Sequence, residues 1–235
     1  HPGVEAVILA TPHSLHAEQI ERAVAAGKHI FCEKPLALTK AGAEKAVNAC
    51  AAANLILGMG HERRFEPPVA EMITAAQDGS LGRLLQVEAN FSHDKFVTLD
   101  ASNWRLNPSE APVGGMTATG IHLTDLSTLL FGPARDVRVS CEKLASNIPQ
   151  GDTMSAHIRF KNGGTAYISA TLATPFISRF ALFGTKGWID IRDKAHVESP
   201  AGWVVTSATT GSPIMVKEVP AAEPVKDNLV AFARA

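Results

Sequence analysis

Tyrosine occurs once in this sequence of 235 residues, at Tyr167, and cysteine only three times. Cys32, Cys50 and Cys141 stand far apart and form no CxxC pair, which excludes a disulfide framework or a thiolate metal knuckle. Such cysteine usage fits a reducing compartment, and a cytoplasmic location is expected. Charge of one sign is not in excess: Lys plus Arg is 22 and Asp plus Glu is 23, a net charge of -1. With no basic stripe either, a nucleic-acid partner is not expected. No apolar run approaches the roughly 20 residues a membrane-spanning helix needs, so no membrane role is expected. HExxH is absent, and the nine histidines show no ligand spacing, although His13, His16 and His61 invite the thought. No metal is therefore expected. A dinucleotide GxGxxG is missing too. Gly58-Met59-Gly60 begins like one, but Arg63 occupies its last position and no strand-to-helix switch follows.

What is present is ordinary globular material, 46% hydrophobic and 19% charged. Residues 4–11 form a short Val- and Ile-rich run of the kind buried on both faces of a parallel sheet. A helical pattern over 12–27 ends at Gly27, and 29–33 is a second strand. Thr39 caps a helix over 40–53, and 55–60 is a third strand. Strand, helix, strand, helix, strand at this spacing predicts a parallel βαβαβ unit with right-handed crossovers. Beyond Pro67-Pro68 the pattern changes. A helix is expected over 69–78, a strand over 83–92 and a glycine-led helix over 114–132. Strand-like runs follow at 135–144, 153–160, 164–172, 177–184 and 187–191, joined by short turns that favour antiparallel pairing. The fold class expected is α/β plus α+β. Residues 1–60 would form part of a doubly wound sheet, and 61–235 an α+β domain with a large, open, mainly antiparallel sheet.

Parallel sheets place their sites at the C-terminal ends of their strands. Those ends are Thr11-Pro12-His13, Glu33-Lys34-Pro35 and Gly60 to Arg64. The charges of Glu33 and Lys34 could merely cap a strand that Pro35 stops. Alternatively, Lys34 presents a cation that polarises a substrate oxygen or moves its proton. Lys34-Pro35 is also a bond of the type that adopts the cis form. His122 and Asp125 lie three residues apart and share a helix face. They are either a surface pair or a proton acceptor, with ionisation near neutrality, and its neighbour. Tyr167 reads as packing rather than chemistry.

Taken together, "ILATPHSLHAEQIERAVAAGKHIFCEKPLALT", "GHERRFEPP" and "GGMTATGIHLTDL" resemble the Gfo/Idh/MocA family of NAD(P)-dependent oxidoreductases. The resemblance runs over essentially the whole chain and is most specific in its first 65 residues. It implies a Rossmann domain followed by an α+β domain, with hydride transfer between NAD or NADP and a sugar, inositol or related polyol. It also implies a homodimer or homotetramer built through the C-terminal sheet. Ile158, Phe160, Tyr167 and Ile168 are the expected apolar surface for that contact.

Residue by residue, the resemblance puts Lys34 beside nicotinamide and substrate, and Glu33 near the nicotinamide ribose. Thr11, Pro12 and His13 would run along the cofactor, Arg64 would lie near its nicotinamide end, and Trp104 and Arg105 would line the pocket. His122 would transfer the proton, with Asp125 also in reach of substrate. Two departures stand out. Many members carry a carboxylate four positions before that histidine, where this chain has Ala118. The half-Rossmann unit with the GxGxxG is also missing, an expected deficit of roughly 60–70 residues judged from βα units of about 30. Both ends of the chain read as cut, and dinucleotide binding by these residues alone is expected to be weak. A non-catalytic ligand sensor of the same fold is the alternative.

Overall fold

The computed structural model describes residues 1–235 and contains two sheets. In the first, β1 (Ala6–Leu9), β2 (His29–Cys32) and β3 (Leu57–Met59) pair in parallel in the order β1-β2-β3. Helices α1 (His16–Ala25) and α2 (Lys40–Ala52) form the crossovers. Ile20 and Ala23 of α1 and Ala46 and Cys50 of α2 pack on Ile30 and Cys32. The opposite face of β2 is also covered, because Phe31 meets Phe232 of the last helix. Burial on both faces explains the unbroken apolar run in β2, where alternation would be expected of a half-exposed strand. Two sequence signals work as read. Thr39 Oγ1 accepts a hydrogen bond from the Gly42 N–H at 3.1 Å, and Gly27 ends its helix in a left-handed conformation with φ of 65°. The predicted helix over 12–27 is shorter, since His13–Leu15 form a 3₁₀ turn before α1.

The second sheet has eight strands in the order β11-β10-β9-β8-β4-β7-β6-β5. They are β4 (Leu84–Ser92), β5 (Ala134–Glu142), β6 (Thr153–Phe160), β7 (Thr165–Thr171), β8 (Ile177–Gly184), β9 (Gly187–Asp193), β10 (Trp203–Thr209) and β11 (Met215–Val219). All neighbours run antiparallel except β4 and β7, so the sheet is mixed. Helices α3 (Pro67–Gln77) and α4 (Ile121–Phe131) cover one face. Val69, Met72, Leu123, Leu126 and Phe131 from these helices meet Val87, Ile158, Phe160, Ile168 and Leu182 from the strands.

The other face is open, and the expectation for it needs correcting. Ile158, Phe160 and Ile168 point into the core and are at most 6% exposed, whereas Tyr167 alone of the four faces outward at 49%. Side chains alternate along a strand, so residues at even spacing from Tyr167, not its neighbours, share its face. Tyr167 stacks on His157 with ring centres 4.5 Å apart and planes 3° from parallel. Around this pair lie Glu88, Asn90, Arg138, Ser155, Ser169 and Arg179, a polar face rather than an apolar one.

Two further differences matter for the site. The glycine-led helix over 114–132 is not uniform: Met116–Gly120 make a π-helical turn before α4. Strands β10 and β11 are additional to those foreseen. The chain ends in helix α5 (Pro224–Arg234), which returns to the first sheet, where Asn228 donates to the Met59 carbonyl at 2.9 Å. Residues beyond 60 thus form the second sheet and also pack on the first. No helix is long and apolar enough to cross a membrane.

Candidate active site

The ends of β1, β2 and β3 face the π-helical turn across a cleft of about 510 Å³. Thr11, His13, Glu33 and Lys34 line it from the parallel sheet, with Glu62 from the turn after β3. Trp104, Arg105, Ala118 and His122 line it from the other side. The Lys34–Pro35 bond is cis. Lys34 Nζ crosses the cleft to donate to the Ala118 carbonyl at 3.0 Å. Position 118, which lacks a carboxylate, therefore contributes its backbone. π-Helical turns recur at functional sites, and here one presents the peptide that receives the lysine.

His122 is 5% exposed. Its Nδ1 is sealed from solvent without a hydrogen-bond partner, and the nearest acid is Glu62, with Oε1 at 3.6 Å. Burial pulls the imidazole well below its usual ionisation range, and the positive neighbours Lys34, Arg63 and His61 pull it further. His122 is thus neutral at pH 7, and its ionisation lies below the near-neutral range expected from sequence. Burial likewise lowers the Lys34 ammonium against the pull of Glu62 and Glu33. Burial raises the Glu62 carboxyl, while Lys34 and Arg63 oppose the rise. Three groups of opposite tendency thus meet in one desolvated place, an arrangement characteristic of proton-handling sites.

The remaining predicted residues divide. His13 lines the cleft, with Nδ1 2.7 Å from the Glu110 carbonyl oxygen and its ring edge-on to Trp104 at 4.8 Å. Arg105 lies over the Trp104 ring at 4.4 Å, a cation–π contact. The Glu33 carboxylate rests against Gly60, where an added Cβ would lie 2.7 Å from Oε2. Gly60 is thereby explained as a close-approach glycine, the role left when the GxGxxG reading was rejected. Pro12 is not among the lining residues. Nor are Arg64 and Asp125, which bind each other through two hydrogen bonds of 2.8 and 2.5 Å. Asp125 also lies 3.7 Å from His61 Nε2.

Sequence reasoning missed several groups. His16 is fully buried, with Nδ1 2.7 Å from the Pro35 carbonyl oxygen and Nε2 3.0 Å from that of Thr11. It ties two strand ends together. Glu62 was read only as one charge among several. The distal wall carries His93, Lys95, Phe96, His196 and Glu198. Burial, with His196 and Lys95 nearby, pushes the His93 imidazole down to about 4. Lys95 bridges His196 and Glu198. These residues come from separate loops, and no local spacing marks them. Only Glu62, one residue beyond His61 at a strand end, carried a usable signal.

Comparison with known proteins agrees with this fold. A family profile described as an oxidoreductase family with NAD-binding Rossmann fold matches residues 1–61, and the GFO/IDH/MocA C-terminal domain matches residues 69–190. The 1,5-anhydro-D-fructose reductase of Ensifer adhaerens is 32% identical over 215 residues, covering 89% of this chain and 63% of that protein. The levoglucosan dehydrogenase of Pseudarthrobacter phenanthrenivorans is 27% identical, covering 80% of this chain and 55% of its own length. Aldose-aldose oxidoreductase from Caulobacter crescentus, solved with glycerol, superposes with a TM-score of 0.83 at 28% identity, over all of this chain and 69% of that one. The chain thus spans between about half and two thirds of the length of the curated relatives named here. With both profiles in register on one chain, the protein belongs to the GFO/IDH/MocA oxidoreductase family.

Proposed function

We propose that this chain serves an NAD(P)-dependent oxidoreductase that moves a hydride between nicotinamide and a hydroxyl-bearing carbon of a sugar, inositol or related polyol. The observation that carries this reading is the convergence of Lys34 and His122 on one cleft, from a parallel strand end and a facing helix. Residues present suit the nicotinamide end of the cofactor: a desolvated cation, an imidazole with an unpartnered buried nitrogen, and the Glu33 carboxylate on the strand-end rim. Thr11, His13, Glu33, Trp104 and Arg105, which line the cleft, would hold it, and Pro12, outside the lining, would shape the loop between Thr11 and His13. When bound, the cofactor supplies the redox chemistry, while the protein supplies position and proton traffic.

His122 is neutral and so suited to accept the hydroxyl proton as the alcohol is oxidised. Lys34, held at the Ala118 carbonyl, is placed to polarise the same oxygen. For Arg64 and Asp125 the mutual ion pair favours a supporting role over direct contact with cofactor or substrate. The relatives' names, a reductase of an anhydrosugar and a dehydrogenase of another, support a carbohydrate substrate.

The test is cofactor reduction, followed by absorbance, with NAD or NADP and a panel of polyols, inositols and anhydrosugars. With a GxGxxG-bearing half-Rossmann unit joined ahead of residue 1, turnover is expected with at least one of them, whereas these 235 residues alone are expected to bind the dinucleotide weakly. His122→Ala should lower turnover by roughly 10²- to 10⁴-fold with little change in cofactor affinity. Lys34→Ala should lower turnover and weaken substrate binding together. Substrate binding without turnover on the whole panel would favour the ligand-sensing alternative, to which Ala118 is the pointer. Unchanged turnover in His122→Ala would remove that residue from proton transfer.

A further inference from the structure

Position 118 offers no carboxylate to His122, yet a carboxylate is present in the cleft. It comes from the opposite wall, on the 3₁₀ turn Glu62–Phe65 that follows β3. Glu62 is held there through the residue that follows it. Its neighbour Arg63 is buried, donating to Ser178 Oγ at 3.0 Å and to Asp193 at 2.6 Å, with its guanidinium 5.1 Å from the centre of the Phe91 ring. The Phe91 ring in turn lies 6.1 Å from that of His122. The turn and the histidine are thus referenced to the same aromatic, and the Glu62 side chain, 14% exposed, has little freedom to leave.

We propose that Glu62 is the acidic partner of His122, replacing from the first sheet the carboxylate that Ala118 does not supply. The proposal rests on the reading of His122 as the proton acceptor. Only one ring nitrogen suits this arrangement. Nδ1 is sealed, has no other acceptor, and lies 3.6 Å from Glu62 Oε1. Nε2 is left as the nitrogen that receives a proton from the cleft. With Nδ1–H directed at Glu62, the ring is fixed in the tautomer whose Nε2 lone pair is free. When Nε2 takes the substrate hydroxyl proton, the imidazolium forms beside a carboxylate instead of against Lys34, Arg63 and His61 alone. The 3.6 Å gap is longer than a hydrogen bond, and such contacts tighten when the ring becomes charged. The proton stays on the imidazole until it is released to solvent or returned to a carbonyl substrate, so Glu62 does not itself carry it. Glu62 is in this sense a positioning residue.

The alternative is that Glu62 only balances the buried Lys34. The two roles separate by a measurement on the protein without cofactor. Histidine is labelled with nitrogen-15, His122 is assigned by its loss in His122→Asn, and its tautomer is read from the two ring-nitrogen shifts. Wild type should carry its proton on Nδ1. Glu62→Gln, which still offers an acceptor oxygen, should keep that tautomer, and Glu62→Met, similar in length with no acceptor, should lose it. A wild-type ring protonated on Nε2, or a tautomer unchanged in Glu62→Met, would overturn the proposal. If Glu62→Met does not fold, the pair Glu62→Gln and wild type still decides it. The Nδ1 shift should follow the Glu62 carboxyl titration in wild type and be flat in Glu62→Gln, and an Nδ1 shift indifferent to that titration refutes the pairing. In a substrate assay, Glu62→Gln should lower turnover roughly 10- to 100-fold through loss of the charge-assisted bond, and Glu62→Asp should recover part of it. The shift measurements fail only if the pairing is wrong. The assay alone fails if the oxidoreductase reading is wrong.

Discussion

Glu66 is a buried acid whose titration should be legible in the stability of the whole protein. It is 2% exposed and contacts Arg63, whose Nε lies 3.1 Å from Oε1. Burial pushes its carboxyl up to about 7, Arg63 opposes, and Asp193 and Glu62 add to the rise. Arg63 remains charged: burial disfavours its cation, but Glu66 and Asp193 outweigh that. One guanidinium thus serves two carboxylates, and the second anion is the costly one. The sign of the pH effect follows. Between the unfolded value of 4.5 and the folded value of about 7, the native state binds a proton that the unfolded chain does not. Stability therefore falls as pH rises through that window, the reverse of an acid with a depressed value. At 1.36 kcal/mol per unit, the loss between about pH 5 and pH 8 is on the order of 2–3 kcal/mol. The assay is urea unfolding of wild type and Glu66→Gln at both pH values. Glutamine keeps an acceptor for Arg63 and does not titrate, so subtracting its pH dependence cancels the other groups. Wild type should lose about 2–3 kcal/mol more than the variant on going to the higher pH. Equal losses would show that Glu66 is ionised throughout and that Arg63 compensates both carboxylates.

Arg63→Met should destabilise by about 3–5 kcal/mol near neutral pH, because Asp193 and Glu66 would keep their burial without the cation; a loss under about 1 kcal/mol in the same unfolding assay would refute the network's role. In a substrate assay, the alcohol-oxidation rate should fall on the acid side with a midpoint below the ordinary histidine value of 6.5, since burial and three cations lower His122; a limb at or above neutrality would assign the ionisation elsewhere. With a GxGxxG-bearing half-Rossmann unit joined ahead of residue 1, Gly60→Ala should disturb the Glu33 carboxylate and weaken nicotinamide cofactor binding in a titration by heat or tryptophan fluorescence, with unaltered affinity removing Glu33 from that contact. The homodimer or homotetramer expected from the sequence, if built through the open sheet face, should be abolished by a charge at its centre, Tyr167→Glu, and sedimentation showing wild type as monomer at tens of micromolar would defeat that expectation.

Much of the fold was legible because local rules and global placement coincide. The βαβαβ unit follows from apolar runs of four or five residues, a Thr39 cap and a Gly27 stop, all settled within a few residues of chain. The eight-stranded sheet was legible in strands but not in order. β4 lies between β8 and β7, far from it in sequence, and no turn signal encodes that pairing. Strands β10 and β11 escaped notice for another reason. Both lie toward one edge of the sheet, and β11 is almost wholly exposed, so its apolar alternation is weak. Three of the four residues named for the open face, Ile158, Phe160 and Ile168, failed through strand period, and only Tyr167 lies there. Consecutive apolar residues cannot share a face, and the bulky ones went to the core.

The site shows where such reading ends. Lys34 and His122 carried a motif, and the structure places them around one cleft. Arg64 and Asp125 carried motifs equally well, yet they satisfy each other. Which of two charged residues meets a ligand depends on whether a counter-ion waits nearby, and that partner arrives from a distant segment. Glu62 illustrates the converse. Its place just beyond β3 marks it as a rim residue, but its neighbours His61 and Arg63 suggest no more than a polar turn. Its significance comes from His122, sixty residues away, and from the absence of a carboxylate at position 118. An empty position in one element is informative only once the fold shows which other element can reach it. The same logic bears on the distal wall, where His93 and His196 approach to 5.6 Å from separate loops. His93 is pushed down to about 4, and burial with Lys95 nearby lowers His196, so both imidazoles are uncharged at neutral pH. Uncharged imidazoles beside a lysine already engaged by Glu198 offer hydrogen bonds without a free net charge. That wall is consistent with the polyol substrate proposed above, whose hydroxyls need hydrogen-bond partners and no counter-ion.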